Sequence, residues 1–134
     1  MTARTTFTAQ EIANGRETTD ERVRRFLDLA AEGLIEPGYE ATYFNSLAVE
    51  LDHFFENRAR EVSGAGTTPL NELELVAEGL RGEGVLPVLD DINYVPTDSV
   101  LGLQVGDTIE LNADQFVELS DAVFAELEAK FQAA

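Results

Sequence analysis

Residues 92–111 read "INYVPTDSVLGLQVGDTIEL", and the fold class turns on whether this stretch forms a sheet. "INYV" at 92–95, "VLGLQV" at 100–105 and "TIEL" at 108–111 are short apolar runs with β-branched residues, the signature of strands. Pro96-Thr97-Asp98-Ser99 and Gly106-Asp107 separate them, the second as a glycine-first hairpin turn. The spacing predicts a small antiparallel hairpin or meander. With helical periodicity elsewhere, the expected whole is an α+β domain of about four helices, the hairpin or meander preceding the last.

On the C-terminal side, Asn112-Ala113-Asp114-Gln115 has the form of a capping box. Phe116, Leu119, Val123, Leu127 and Phe131 follow as one helical stripe. On the N-terminal side, Thr68 as N-cap and Pro69 at the first helical position predict another helix start. Its apolar face is Leu70, Leu73, Ala77 and Leu80, and Gly82 and Gly84 close it. A longer helix is expected over residues 39–62, with Tyr43, Phe44, Leu47, Leu51, Phe54 and Phe55 at the centre of the core. Before it, Thr18-Thr19-Asp20-Glu21 predicts a helix whose stripe is Val23, Phe26, Leu27, Ala30 and Leu34. Residues 1–18 are expected to be loosely ordered, with one short turn after Thr8 that Gly15 ends. A chain of 134 residues suits a single domain, residues 1–134.

The stretch Ser99–Phe131, "SVLGLQVGDTIELNADQFVELSDAVFAELEAKF", resembles the tail of small acidic actinobacterial proteins of uncharacterised function. The shared pattern is a Gly-Asp turn, a strand and a capped helix. The resemblance implies no activity, cofactor or site residue.

Charge sets stronger bounds. With 26 acidic and 9 basic residues the chain carries −17, which repels a phosphate backbone and an anionic membrane surface. No nucleic acid or membrane partner is expected. The charge is uneven: residues 1–38 hold seven acids against five arginines, and residues 39–134 hold nineteen acids against four bases. No run approaches the ~18 apolar residues of a membrane span. The polar opening "MTARTTFTAQEIANG" is unlike a secretory leader, so a cytoplasmic protein is expected. Without cysteine there is no disulfide framework, thiolate nucleophile or thiolate metal site.

The one histidine lies in "LAVELDHFFENRARE", residues 47–61. Glu50 and His53 are spaced E-x-x-H, half of the carboxylate–histidine pattern that helix bundles use for paired metals. A second copy is impossible with a single histidine, and a mixed site would have to borrow Glu72, Glu78, Glu118 or Asp121. The plainer expectation is an exposed pair on the ridge Ser46, Glu50, His53 and Asn57, so neither a metal nor another cofactor is expected. "DDINYVPTD" at 90–98 lacks the glycine and alternate oxygens of a calcium loop. "SGAGTT" at 63–68 lacks the lysine of a phosphate-binding loop. "ERVRRF" at 21–26 reads as helical ion pairs, Glu21–Arg25 and Arg24–Asp28. No G-x-S-x-G elbow supports serine catalysis.

These readings point to a non-catalytic acidic domain acting through protein association, as a homodimer or with a basic partner. The rival is a small enzyme or ligand-binding protein with a pocket beside the 39–62 helix. Its residues would be Tyr39, Tyr43 and Asn57, with Glu50 and His53 as carboxylate–histidine metal ligands.

Overall fold

The computed structural model describes residues 3–133. It consists of five α-helices: α1 (Ala9–Ala31), α2 (Tyr39–Phe54), α3 (Arg60–Ser63), α4 (Pro69–Arg81) and α5 (Ala113–Glu126). A 3-10 turn at Pro96–Asp98 interrupts the loop before α5, and α5 runs into a π-helical turn at Leu127–Phe131. Helix α2 packs on α4, α4 on α5, and α1 lies against both α2 and α5. Phe44, Leu51, Leu73, Phe116, Val123 and Phe131 meet in the single core.

The α+β expectation is overturned, because the described residues contain no strand and no sheet. Only isolated bridges occur, Arg4 with Arg58, Phe7 with Gln132 and Val85 with Thr108. The predicted runs are apolar because they pack as loop on the helices, with Ile92, Ile109 and Leu111 buried. Part of their backbone is satisfied by other loop backbone, the Ile109 amide donating to the Gly84 carbonyl at 2.9 Å and the Asn93 amide to the Ala65 carbonyl at 2.6 Å, and part by helix side chains. The buried Glu72 carboxylate of α4 accepts from the amides of Val100 and Leu101, at 2.8 and 2.9 Å. The Asn45 side chain of α2 donates to the Ile109 carbonyl at 2.9 Å and accepts from the Leu111 amide at 3.1 Å. It occupies the place of a neighbouring strand. The expected glycine-first hairpin turn at Gly106-Asp107 does not form. The chain turns one residue earlier, over Gln104–Asp107, with the Asp107 amide donating to the Gln104 carbonyl at 2.9 Å. Gly106 is second of the central pair at φ 91°, and the Gln104 amide donates to the Asp107 carboxylate. Its two arms diverge, and the second pairs briefly with residues 84–86 through the Leu86 amide and Asp107 carbonyl.

Both predicted N-caps near the core are present. Thr68 caps α4 with Pro69 behind it, and Asn112 and Gln115 complete the box at α5. The first helix differs. It starts at the capping box of Thr8 and Glu11, not at Thr18, so residues 9–18 are its first half. Residues 1 and 2 of the stretch expected to be loosely ordered lie outside the described residues. Gly15 does not end a turn but sits buried in mid-helix. The predicted stripe of α1 also overshoots the core: Val23 and Phe26 are buried, whereas Leu27 and Leu34 stand 48% and 63% exposed.

Helix α2 stops eight residues short of the expected Val62. Phe55 is its C-cap and Asn57 adopts φ 65°, which turns the chain before α3. The cause is packing. Phe55 is drawn inward between Phe7 and Phe124, with ring centroids 5.2 and 5.8 Å away. Phe54, expected in the core, points out with 43% exposure. The Arg58 guanidinium then donates to the freed Phe55 carbonyl at 3.0 Å.

Candidate functional site

Two open hollows flank α2. The first, of 480 Å³, lies between α1 and α2 and is lined by Arg22, Arg25, Tyr43, Ser46 and Glu50 among others. Arg22 pairs with Glu50, closing the gap between the helices. The Tyr43 hydroxyl donates to the Arg22 carbonyl at 2.9 Å, and its ring lies 6.1 Å from that of Tyr39. Glu21–Arg25 forms as an exposed pair at 3.3 Å.

The second hollow, of 590 Å³, opens at the C-terminal end of α2, where His53 and Asn57 meet Arg58, Arg60, Glu74 and Arg81. His53 is exposed and its Nδ1 stands 3.1 Å from the Glu56 carboxylate. The E-x-x-H spacing is therefore split by its neighbours: Glu50 turns to α1 and His53 to Glu56. The five candidate residues divide accordingly. Tyr43 and Glu50 share the first hollow with Tyr39 beside it, and His53 and Asn57 line the second.

The floor of the second hollow holds an ion network that local sequence spacing concealed. The Asp52 carboxylate, buried in α2, accepts from Arg58 at 2.8 Å and from Arg81 at 3.1 Å. Arg58 is buried too and donates to the Leu70 carbonyl at 3.1 Å. Arg60 bridges Glu74 at 2.6 Å and Asp91 at 2.9 Å, and holds the Asp91 carboxyl below its usual range through that hydrogen bond. Burying charges costs several kcal/mol per ion unless partners restore the lost solvation, and here every buried charge has one. The network ties α2, the turn after it, α4 and the loop at Asp91 into one rigid end. A ligand entering would have to displace these pairs.

A second buried carboxylate, Glu126, accepts from the Ser63 hydroxyl and the Leu70 amide at 2.8 Å each, and pairs with Lys130 at 3.0 Å. It serves α4 as an N-terminal acceptor reaching across from α5. The Glu126–Lys130 spacing of four was its only visible sequence signal. Burial raises the Glu72 carboxyl above the usual range, against the pull of its two amide donors. Among the described residues no group of three or more His, Asp or Glu side chains is placed to hold a metal ion. Among them, too, no helix is long and apolar enough to cross a membrane.

In comparisons with known proteins, no family model, no curated protein and no solved structure matches the chain.

Proposed function

We propose that this protein is a non-catalytic acidic domain of the cytoplasm that works by associating with another protein, a second copy of itself or a basic partner. The observation that supports this best is the corner joining α1 to α2. Leu27, Leu29, Leu34 and Tyr39 are all large, apolar and at least 43% exposed, and they follow one another closely along the chain. The intervening acids Asp28, Glu32 and Glu36 are exposed as well. The Leu34 amide donates to the Leu29 carbonyl at 3.0 Å, which folds these two residues onto one another at the end of α1. Exposed apolar side chains brought together among charges mark interaction surfaces. The cytoplasm belongs to this reading as a proposal, and the absence of cysteine is compatible with it without selecting it. The likeness of Ser99–Phe131 to small acidic actinobacterial proteins carries no activity and adds none here.

The test is charge insertion at the corner. Leu29→Asp and Leu34→Asp are compared with wild type by sedimentation velocity and by cross-linking in host extract. A dimer or cross-linked band formed by wild type supports association, and its loss in either variant shows that this side chain of the corner takes part. A wild-type protein that stays monomeric and uncross-linked sinks it.

The 480 Å³ hollow favours a second reading, a ligand-binding protein or small enzyme with Tyr43 and Glu50 on its wall. Its carboxylate–histidine metal version requires one tight zinc event in calorimetry that His53→Ala abolishes, since imidazole favours transition metals. The association reading expects a weak multi-site isotherm, identical in both proteins.

A further inference from the structure

We infer that the groove between the C-terminal half of α1 and the N-terminal half of α5 seats a basic amphipathic helix of another protein. This rests on the association reading and adds the seat and the partner's chemistry. The groove measures 510 Å³ and is lined by Leu27, Ala113, Asp114, Val117, Glu118 and Asp121. Two rows run along α5. Ala113 and Val117, four apart, continue the apolar floor begun by Leu27 on α1, and Asp114 and Glu118, also four apart, form an acidic rim beside it. Asp121 at the end of that rim is already paired with Arg16, whereas Asp114 and Glu118 are exposed and in no ion pair among the described residues.

The charge inventory selects the occupant. Eight of the nine basic side chains are engaged by the chain's own carboxylates: Arg4, Arg16, Arg22, Arg25, Arg58, Arg60, Arg81 and Lys130. Arg24 alone among the described residues is not, and it lines a different hollow with Glu17 and Asp20. A second copy of this chain, at −17, therefore has a single unengaged cation, Arg24, to set against a rim of two carboxylates, and brings its own excess of acids with it. A helix with an apolar stripe and Lys or Arg at i, i+4 beside it matches both rows at once, the helix-in-groove mode of recognition. Such a contact gains burial from the floor and orientation and encounter rate from the rim.

The probe is a synthetic Leu/Lys peptide with its leucines on one helical face, titrated by fluorescence anisotropy beside a scramble of equal composition. Wild type is compared with Leu27→Asp, with Asp114→Lys/Glu118→Lys and with Leu34→Asp, each first checked for native helicity. Wild type is expected to bind the patterned peptide more tightly than the scramble, and less tightly as salt rises. Leu27→Asp and the charge reversal should each weaken binding about tenfold or more, the usual cost of losing an interface anchor. Leu34→Asp, outside the groove, should leave it unchanged. Equal binding of both peptides, or none, overturns the groove. A wild-type dimer lost in Leu27→Asp, with no peptide binding, also overturns it but leaves association standing. Association lost through Leu34→Asp yet untouched by Leu27→Asp does the same.

Discussion

Gly15 of α1 lies beneath the ring of Phe55, so close that a Cβ at position 15 would stand 2.8 Å from Cζ of that ring. The ring has nowhere to retreat, because Phe7 and Phe124 hold its other sides edge-on. Gly15→Ala thus sets a helix-propensity gain of about 1 kcal/mol against the cost of overpacking a filled core. The net expectation is a loss of about 1–2 kcal/mol in denaturant unfolding. In a Phe55→Leu background the same change should become neutral or stabilising. Equal effects in the two backgrounds would show that the ring does not set the requirement for glycine.

Asn45 stands in for a strand, and its removal should expose that role. Asn45→Ala leaves the Ile109 carbonyl and the Leu111 amide without partners in a half-buried place. Each orphaned group costs on the order of 1–3 kcal/mol. We expect a loss of about 2–3 kcal/mol and faster hydrogen exchange at the Leu111 amide. Unchanged exchange at that amide would contradict the assignment.

Glu72 predicts a pH dependence of unusual sign. Its carboxyl is raised above the usual range by burial, so the folded state holds its proton to higher pH than the unfolded chain does. Its contribution to stability is therefore fully present below the ordinary glutamate range, about pH 4, and is lost as pH rises through the raised value. The stability of wild type relative to Glu72→Gln should fall over that rise. A difference that stays constant with pH would rule the shift out.

Glu11 behaves oppositely. The Arg4 guanidinium and the Thr8 amide pull its carboxyl down to about 2. The stability it contributes is present above the ordinary glutamate range and disappears as pH falls from there toward about 2. Carboxyl NMR titration should place the Glu11 midpoint near that value, and Arg4→Gln should bring it back toward normal. An ordinary midpoint in wild type would show that the Arg4–Glu11 clasp is not formed in solution.

What the sequence determined by itself is the set of features that depend on neighbours within a turn or two. The caps at Thr8, Thr68 and Asn112 are present because a side chain and an amide three residues on can meet without help from the rest of the molecule. The core stripe of α5 was equally legible, since burial of one helix face imposes a 3.6-residue period. The candidate site was legible only in part. Glu50 and His53 do lie on one helix, but their partners, Arg22 and Glu56, depended on how α1 crosses α2 and on where α2 ends.

Tertiary structure decided the rest wherever a group's partner lies far along the chain. Val100, Leu101, Ile109 and Leu111 look like strand residues because they are apolar and bounded by turns. Whether their amides and carbonyls find a strand or a side chain rests on Glu72 and Asn45, dozens of residues away. Buried backbone must be satisfied, but not by any particular donor or acceptor. Here two helix side chains supply part of what a neighbouring strand would have supplied, the Gly84 carbonyl taking the Ile109 amide. Gly15 reads as a breaker until Phe55 is placed above it. The end of α2 reads as continuous helix until the pull of Phe55 into the core and the reach of Arg58 to Asp52 turn the chain at Asn57.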